Sequence, residues 1–491
     1  MTDTQEPLSI IVAGASGDLA VKKIFPALFA LYCQGRFPEK FHIAGFARTD
    51  MSSATFREHL AGPNLVCRYG PCDHCSGKQE AFLKHISYVS SPYDSPEGMR
   101  KVNLALLGEG GMDGQENRIY YLSVPPFLFL QVTQTLAAAG FLARGGSGWD
   151  RVVVEKPFGN DRASSDELTQ GLGQFFEEDQ TYRIDHYLGK EVIQNLMVLR
   201  FANLIFDPIW DRAYIDHVDI SWMEDLGLEG RAGYFDRYGI IRDVMQNHLL
   251  QMVALIAMEQ PVSMDSKYVR DEKVKVLRSI PPLALDDIVV GQYTAGEMKG
   301  KRYPGYLEEH GVPEGSIADT YAAAVLHVRN RRWDGVPFRL RAGKGLNARM
   351  TEIRIHFRSV PGNIFDGAAA MQPNELTIRV QPDAAIAFRI MNKVPGLQID
   401  LGESFLDLNY ASAFNAKIPD AYECLLLDVI EGDRALFIRS DELEAAWDIF
   451  TPVLHELERQ RIKPEPYVFG SSGPEKAKQL AARYGASWSA Q

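Results

Sequence analysis

Apolar runs punctuate the first part of the chain. Leu8-Ser9-Ile10-Ile11-Val12-Ala13 closes on Gly14, and from Asp18 onward Leu19, Ile24, Leu28 and Leu31 recur at helical spacing, so a strand, a tight turn and a helix are predicted. Phe41 to Ala47 reads as a second strand ending at Arg48, and Arg118 to Val124 and Arg151 to Val154 as further buried strands, with a helix over Leu130 to Ala139. Strands alternating with helices imply a parallel sheet. Past about residue 185 the pattern changes: helical stretches over Glu191 to Phe201 and Ile240 to Met258 precede alternating runs such as Ala322 to Val328, Thr351 to Phe357 and Glu375 to Val380. The expected fold class is an α/β unit over residues 1–185, followed by an α+β unit with a large, mainly antiparallel sheet over residues 186–491.

Composition narrows the function classes. With 491 residues, 46% of them hydrophobic and 24% charged, the chain can bury a large core. Its formal net charge of -12 argues against general binding to nucleic acid or to an anionic membrane, while leaving room for a local basic pocket. The polar start Met1 to Leu8 has no signal-peptide character and no apolar run reaches membrane-spanning length, so a cytoplasmic protein is expected. Five cysteines are too few for a disulfide framework. Cys67, Cys72, His74 and Cys75 have the ligand types of a zinc site, but the paired half of a zinc ribbon is missing; a surface loop without metal is the expectation.

Gly14-Ala15-Ser16-Gly17-Asp18-Leu19 lies between the first strand and the first helix, where glycines let backbone N–H groups approach a pyrophosphate. The pattern lacks the usual three-glycine spacing, yet its place is that of a Rossmann-like dinucleotide loop. Arg48, at the end of the second strand, can bind a 2′-phosphate, which favours NADP; nearby Asp50 keeps NAD possible. Lys156 ends a predicted strand at the sheet edge where ligands bind, and Pro157 directly follows it.

Two further stretches carry chemistry. Arg183-Ile184-Asp185-His186-Tyr187-Leu188-Gly189-Lys190-Glu191 packs a carboxylate, an imidazole, a phenol and an ammonium into one run; a helical start would put His186 and Lys190 on one face. The competing reading is a solvated helix start with an acidic N-cap. His248 lies in the apolar helical stretch Gly239 to Met252, either as a core residue or as an imidazole that accepts a hydroxyl proton when a carboxylate partners it. Such a pairing would set its pKa somewhat above the unperturbed value of about 6.5.

The motifs Gly14 to Ala20, Glu155-Lys156-Pro157-Phe158-Gly159, Arg183 to Glu191 and Ile240 to His248 together closely resemble the glucose-6-phosphate dehydrogenase family. Trp333 to Phe338 with Arg341 to Lys344, and Asn374 to Leu376 with Arg379 to Pro382, extend the likeness over nearly the whole chain. The resemblance implies oxidation of β-D-glucose 6-phosphate to 6-phosphoglucono-δ-lactone with NADP or NAD, at the head of the pentose phosphate or Entner-Doudoroff route. It assigns His248 as base and Asp185 as its partner, and gives the 6-phosphate to His186, Tyr187 and Lys190. Lys156, Glu224, Asp243 and Lys344 would meet sugar hydroxyls or phosphate, Lys23 would reach between coenzyme and sugar, and Ser123-Val124-Pro125-Pro126 would line the nicotinamide side. The family's habit implies a homodimer or homotetramer. Val21 departs from the lysine frequent in this motif, removing a positive charge near the nucleotide loop. A catalytically silent sugar-phosphate sensor and a dehydrogenase of another aldose are the alternative readings.

Overall fold

The computed structural model describes residues 6–62, 65, 75–108, 110–112, 115–142, 148–365, 371–414, 417–485 and 488. Cys67, Cys72, His74 and the Cys75 side chain lie outside the described residues.

The N-terminal runs form β1 (Leu8–Ala13), β2 (Phe41–Ala47), β3 (Ile86–Ser90), β4 (Asn117–Leu122), β5 (Asp150–Val154) and β6 (Thr181–Ile184). They pair in parallel in the order β6-β5-β4-β1-β2-β3. β1, β2 and β4 are buried along their whole length, as expected of strands covered by helices on both faces. Helices Phe25–Cys33, Pro96–Gly108, Phe129–Ala138 and Arg162–Gly173 alternate with these strands.

The second unit contains β7 (Ile215–Met223), β8 (Ile288–Thr294), a small hairpin of β9 (Gly296–Met298) and β10 (Lys301–Tyr303), then β11 (Tyr321–His327), β12 (Pro337–Gly343), β13 (Met350–Phe357), β14 (Glu375–Gln381), β15 (Ala385–Lys393) and β16 (Leu401–Asn409). Two late strands, β17 (Phe437–Ile438) and β18 (Glu465–Val468), complete the set, and the nine-stranded sheet runs β16-β15-β14-β13-β7-β12-β11-β8-β18. Only the β7–β12 and β8–β18 pairs are parallel, so the sheet is mainly antiparallel as expected. The strand β17 returns to the first sheet and pairs antiparallel with β6, so the late chain closes the edge of the early sheet. Among the described residues no helix is long and apolar enough to cross a membrane.

Candidate active site

The dense run after β6 is built differently from the helical start considered above. β6 ends at Ile184, and residues 185–190 form turns closed by Leu188 N to Asp185 O at 3.0 Å and Lys190 N to Tyr187 O at 3.1 Å; the helix begins only at Glu191. Burial of the strand against both neighbours wins over helical propensity here, and Gly189 passes so close to the next layer that a Cβ would lie 2.5 Å from the Ala421 carbonyl. His186 and Lys190 still reach the same cavity, through turn geometry instead of helical spacing.

His248 comes from the opposite side. The stretch Ile240 to Met258 is interrupted: residues Ile241–Leu249 wind as a π-helix, and an α-helix resumes over Leu250–Ala257. π-Helical segments are rare and concentrate at functional sites. Asp243 and His248 both sit on this segment. His248 Nδ1 meets Asp185 Oδ1 at 2.5 Å, each side chain being 2% exposed. Asp185 Oδ1 also accepts from the Tyr187 amide at 2.9 Å, while Oδ2 is buried with no hydrogen-bond partner. With Nδ1–H directed to the carboxylate, Nε2 keeps its lone pair.

The charge states follow from burial and contact. Burial pushes the His248 pKa below 6.5; Asp185 raises it in part, and Lys156 lowers it further. The sequence-based expectation of a raised value is therefore reversed, because desolvation of the imidazolium outweighs the carboxylate. Burial alone would raise Asp185, but His248, His186 and the Tyr187 amide outweigh it and hold the carboxyl at about 2. At neutral pH the pair is a neutral imidazole beside a carboxylate. His186, 4.9 Å from His248 between ring centres, is lowered well below 6.5 by burial and by His248.

These groups face a cavity of about 670 Å³. Its wall includes Lys156, His186, Tyr187, Lys190, Glu224, Asp243, His248 and Lys344, all singled out from the sequence. Lys156 Nζ donates to the Asp243 carbonyl at 2.6 Å and to its carboxylate at 3.2 Å, bridging the end of β5 to the π-helix; the Lys156-Pro157 peptide is cis. Lys344 Nζ donates to Glu224 Oε2 at 2.6 Å, and Lys190 Nζ to Gln381 Oε1 at 2.9 Å. The Tyr187 hydroxyl accepts from Trp222 Nε1 and from Gln381 Nε2. Lys23 is not in this wall. It lines an adjoining cleft of about 600 Å³ that shares His186 and Lys190, and its Nζ pairs with Asp420 Oδ2 at 3.0 Å.

The glycine loop sits at the C-terminal edge of the first sheet. Gly14 adopts φ +83°, and a Cβ there would lie 2.0 Å from the Ser123 carbonyl, so only glycine fits between β1 and the segment after β4. Gly17 N closes a turn on Gly14 O at 2.9 Å, with Ala15 buried inside it. Ser16 Oγ lies 2.9 Å from Thr49 Oγ1, which places the loop beside the end of β2 and Arg48. The Arg48 guanidinium lies over the Tyr93 ring, 5.6 Å from its centre. Asp18 is exposed and pairs with Lys22, and Leu19 faces the adjoining cleft. Ser123 Oγ is a buried hydroxyl without a partner, and Pro125 precedes a short turn of helix over Pro126–Leu128. A loop closed to a Cβ at Gly14, an orphaned hydroxyl and a cation at the second strand's end fit a dinucleotide.

Two family descriptions match the chain: "Glucose-6-phosphate dehydrogenase, NAD binding domain" over residues 11–195 and "Glucose-6-phosphate dehydrogenase, C-terminal domain" over 197–489. The chain belongs to the glucose-6-phosphate dehydrogenase family. It is 53% identical to the chloroplastic glucose-6-phosphate 1-dehydrogenase 1 of Arabidopsis thaliana over 99% of this chain and 84% of that protein. It is 45% identical to the Dictyostelium discoideum enzyme, over 98% of this chain and 95% of the relative. A solved glucose-6-phosphate dehydrogenase in complex with its substrate superposes with a TM-score of 0.92 at 42% identity, covering 100% of both chains. The Mycobacterium avium enzyme superposes at 0.81 with 32% identity, covering 99% of both. Family membership makes the protein an oxidoreductase that uses a nicotinamide dinucleotide.

The cavity is also lined by Trp222, Arg231, Tyr234, Arg349 and Gln381, which sequence reasoning did not single out as site residues. Trp222 was findable, since alternation along β7 puts it on the same face as Val218 and Ile220. Gln381 lay inside the quoted Arg379 to Pro382 motif, and Arg349 just before β13. Arg231 and Tyr234 carry no local signal beyond their charge and polarity.

Proposed function

We propose that His248 is the general base and Asp185 its orienting partner in the oxidation of β-D-glucose 6-phosphate to 6-phosphoglucono-δ-lactone. The observation that carries this reading is the 2.5 Å contact between His248 Nδ1 and Asp185 Oδ1 at the wall of a cavity ringed by cationic side chains. Asp185 holds the tautomer that leaves Nε2 free to take the proton from the anomeric hydroxyl, and its charge stabilises the imidazolium that results. His186, Tyr187 and Lys190 anchor the 6-phosphate, with Arg349 on the same wall. Anchoring the remote phosphate lets binding energy position the reacting carbon. Lys156, Asp243, Glu224 and Lys344, already held in two ion pairs, offer donors and acceptors to sugar hydroxyls.

Residues Gly14 to Leu19, Arg48, Ser123, Pro125 and Lys156 hold the coenzyme, whose nicotinamide supplies the hydride acceptor. Arg48 favours NADP, with NAD as a second coenzyme. Lys23, in the adjoining cleft, reaches between coenzyme and sugar. Residues 1–185 form the coenzyme-binding part and residues 186–491 the substrate-binding and oligomerisation part of a homodimer or homotetramer. A low cysteine count and an acidic surface suit a cytoplasmic enzyme at the head of the pentose phosphate or Entner-Doudoroff route.

The test is turnover, followed by absorbance of reduced coenzyme. His248→Asn is expected to fold and to bind glucose 6-phosphate while losing at least about 10⁴-fold in kcat, the scale of a lost general base in a coupled pair. Retained turnover would exclude His248 as the base.

A further inference from the structure

The π-helix that carries His248 begins at a break that its own segment does not cap. Helix Ala232–Ile240 is interrupted at Gly239, with φ 64° and ψ 176°, and the π-helix starts at Ile241. Two amide groups are released by this break, and one distant residue accepts both. Ile240 N donates to the Asp319 carbonyl at 2.8 Å, and Ile241 N to Asp319 Oδ2 at 3.0 Å. A Cβ on Gly239 would stand 2.2 Å from Asp319 Oδ1, so the break and the cap fit each other only with glycine at this position. The next residue, buried Thr320, accepts from Lys344 N through its carbonyl at 2.9 Å. Asp319 and Thr320, just ahead of β11, thus touch both the helix of Asp243 and His248 and the strand end of Lys344.

We propose that Asp319 is a positioning residue for the catalytic base, setting where the π-helix starts and thereby where His248 stands relative to Asp185. This rests on the reading of His248 as base. A carboxylate at a helix N-terminus both satisfies orphan amides and complements the helix dipole. π-Helical winding is the rarer form, so its starting point is less well held by propensity alone than that of an α-helix. The phosphate anchors lie on the separate 185–190 turn, whereas Asp243 shares the π-helix with His248, so a shift of this helix moves the base and one sugar contact while leaving the phosphate anchors in place.

Asp319→Ala is expected to lower kcat about tenfold or more, since a ~1 Å misplacement of a reacting group can cost about 100-fold. KM for glucose 6-phosphate is expected to stay within about threefold. Asp319→Asn keeps the acceptor oxygen and is expected to restore kcat to within about threefold of the parent. Rates are referred to the folded fraction from circular dichroism. Gly239→Ala disturbs the same junction independently and is expected to show the same loss, larger in kcat than in KM. If His248→Asn is inactive yet Asp319→Ala or Gly239→Ala keeps parental kcat, or Asn does not rescue, the positioning role is overturned. An active His248→Asn enzyme overturns the base assignment itself.

Discussion

Asp185 and His248 share one low-dielectric environment, and burial opposes the charged form of each. The carboxylate keeps its charge because donors surround it, whereas the imidazole loses its proton easily because desolvation, added to by Lys156, outweighs Asp185. A base with a lowered pKa stays unprotonated at neutral pH. In a pH series, kcat/KM is expected to hold on acidification through 6.5 and to fall only as pH drops through the lowered value; a fall centred above 6.5 would contradict this assignment. Asp185→Asn removes the interaction that raises the base pKa and fixes the tautomer, so kcat is expected to drop by about 10³-fold or more, read in the same assay. The role proposed for Arg48 concerns the coenzyme. Arg48→Ala is expected to raise KM for NADP by about tenfold or more while changing kcat/KM with NAD by less than about threefold, in initial rates on one preparation. The residues proposed for this chemistry could be named from the sequence: Asp185, His186 and Lys190 stand in one dense polar run, whereas His248, in an apolar helical stretch, is assigned through the family resemblance. Trp222, Arg231 and Arg349 were not named, because an aromatic or arginine becomes a site residue only through what folds opposite it.

At the scale of elements, β7 shows how one strand serves two faces. Val218, Ile220 and Trp222 face one side, with Trp222 in the cavity wall; His217, Asp219 and Ser221 face the other. On that far face Asp219 pairs with Arg339 directly across on β12, at 2.6 and 2.7 Å, both side chains almost wholly buried. Truncating one partner leaves the other charge stranded. Arg339→Ala is expected to cost about 3–5 kcal/mol in urea unfolding, and a loss under about 1 kcal/mol would show the pair to be dispensable. Burial opposes ionisation of Asp219, but His356 and Arg339 hold its pKa below the usual carboxylate range, so this stability is present above about pH 4 and is lost as pH falls further. Periodicity made most elements legible: β1, β2, β5 and the helices at 129–138 and 191–201 lie within a residue or two of expectation. The turns at 185–190 and the π-helical winding within the expected helix were not legible, because the first follow from pairing of β6 with β5 and the second starts where Asp319, distant in sequence, accepts from Ile240 and Ile241.

Across the whole molecule, early and late segments of the chain are tied together. Lys156 reaches from β5 to Asp243, β17 closes on β6, and Arg151 donates to the Val429 and Ile430 carbonyls. Among the described residues one edge of the large sheet is open: edge strand β16 exposes Phe405 and Leu406 at 57% and 62%. An unpaired edge with exposed large apolar side chains is a surface for self-association. Leu406→Asp is expected to lower the sedimenting mass toward that of one chain of 54.9 kDa, with the fold retained by circular dichroism; an unchanged mass would move the interface elsewhere. By itself the sequence determined the succession of strands and helices, the glycine loop and the identity of the charged groups, since periodicity, turn chemistry and side-chain type act over a few residues. Only the tertiary structure decided that Asp185 meets His248 across 63 residues, that the imidazole pKa moves down, and that Lys23 pairs with Asp420 beside the cavity instead of in its wall. Contact and desolvation depend on which distant segments pack together, and that is set by burial of the whole core.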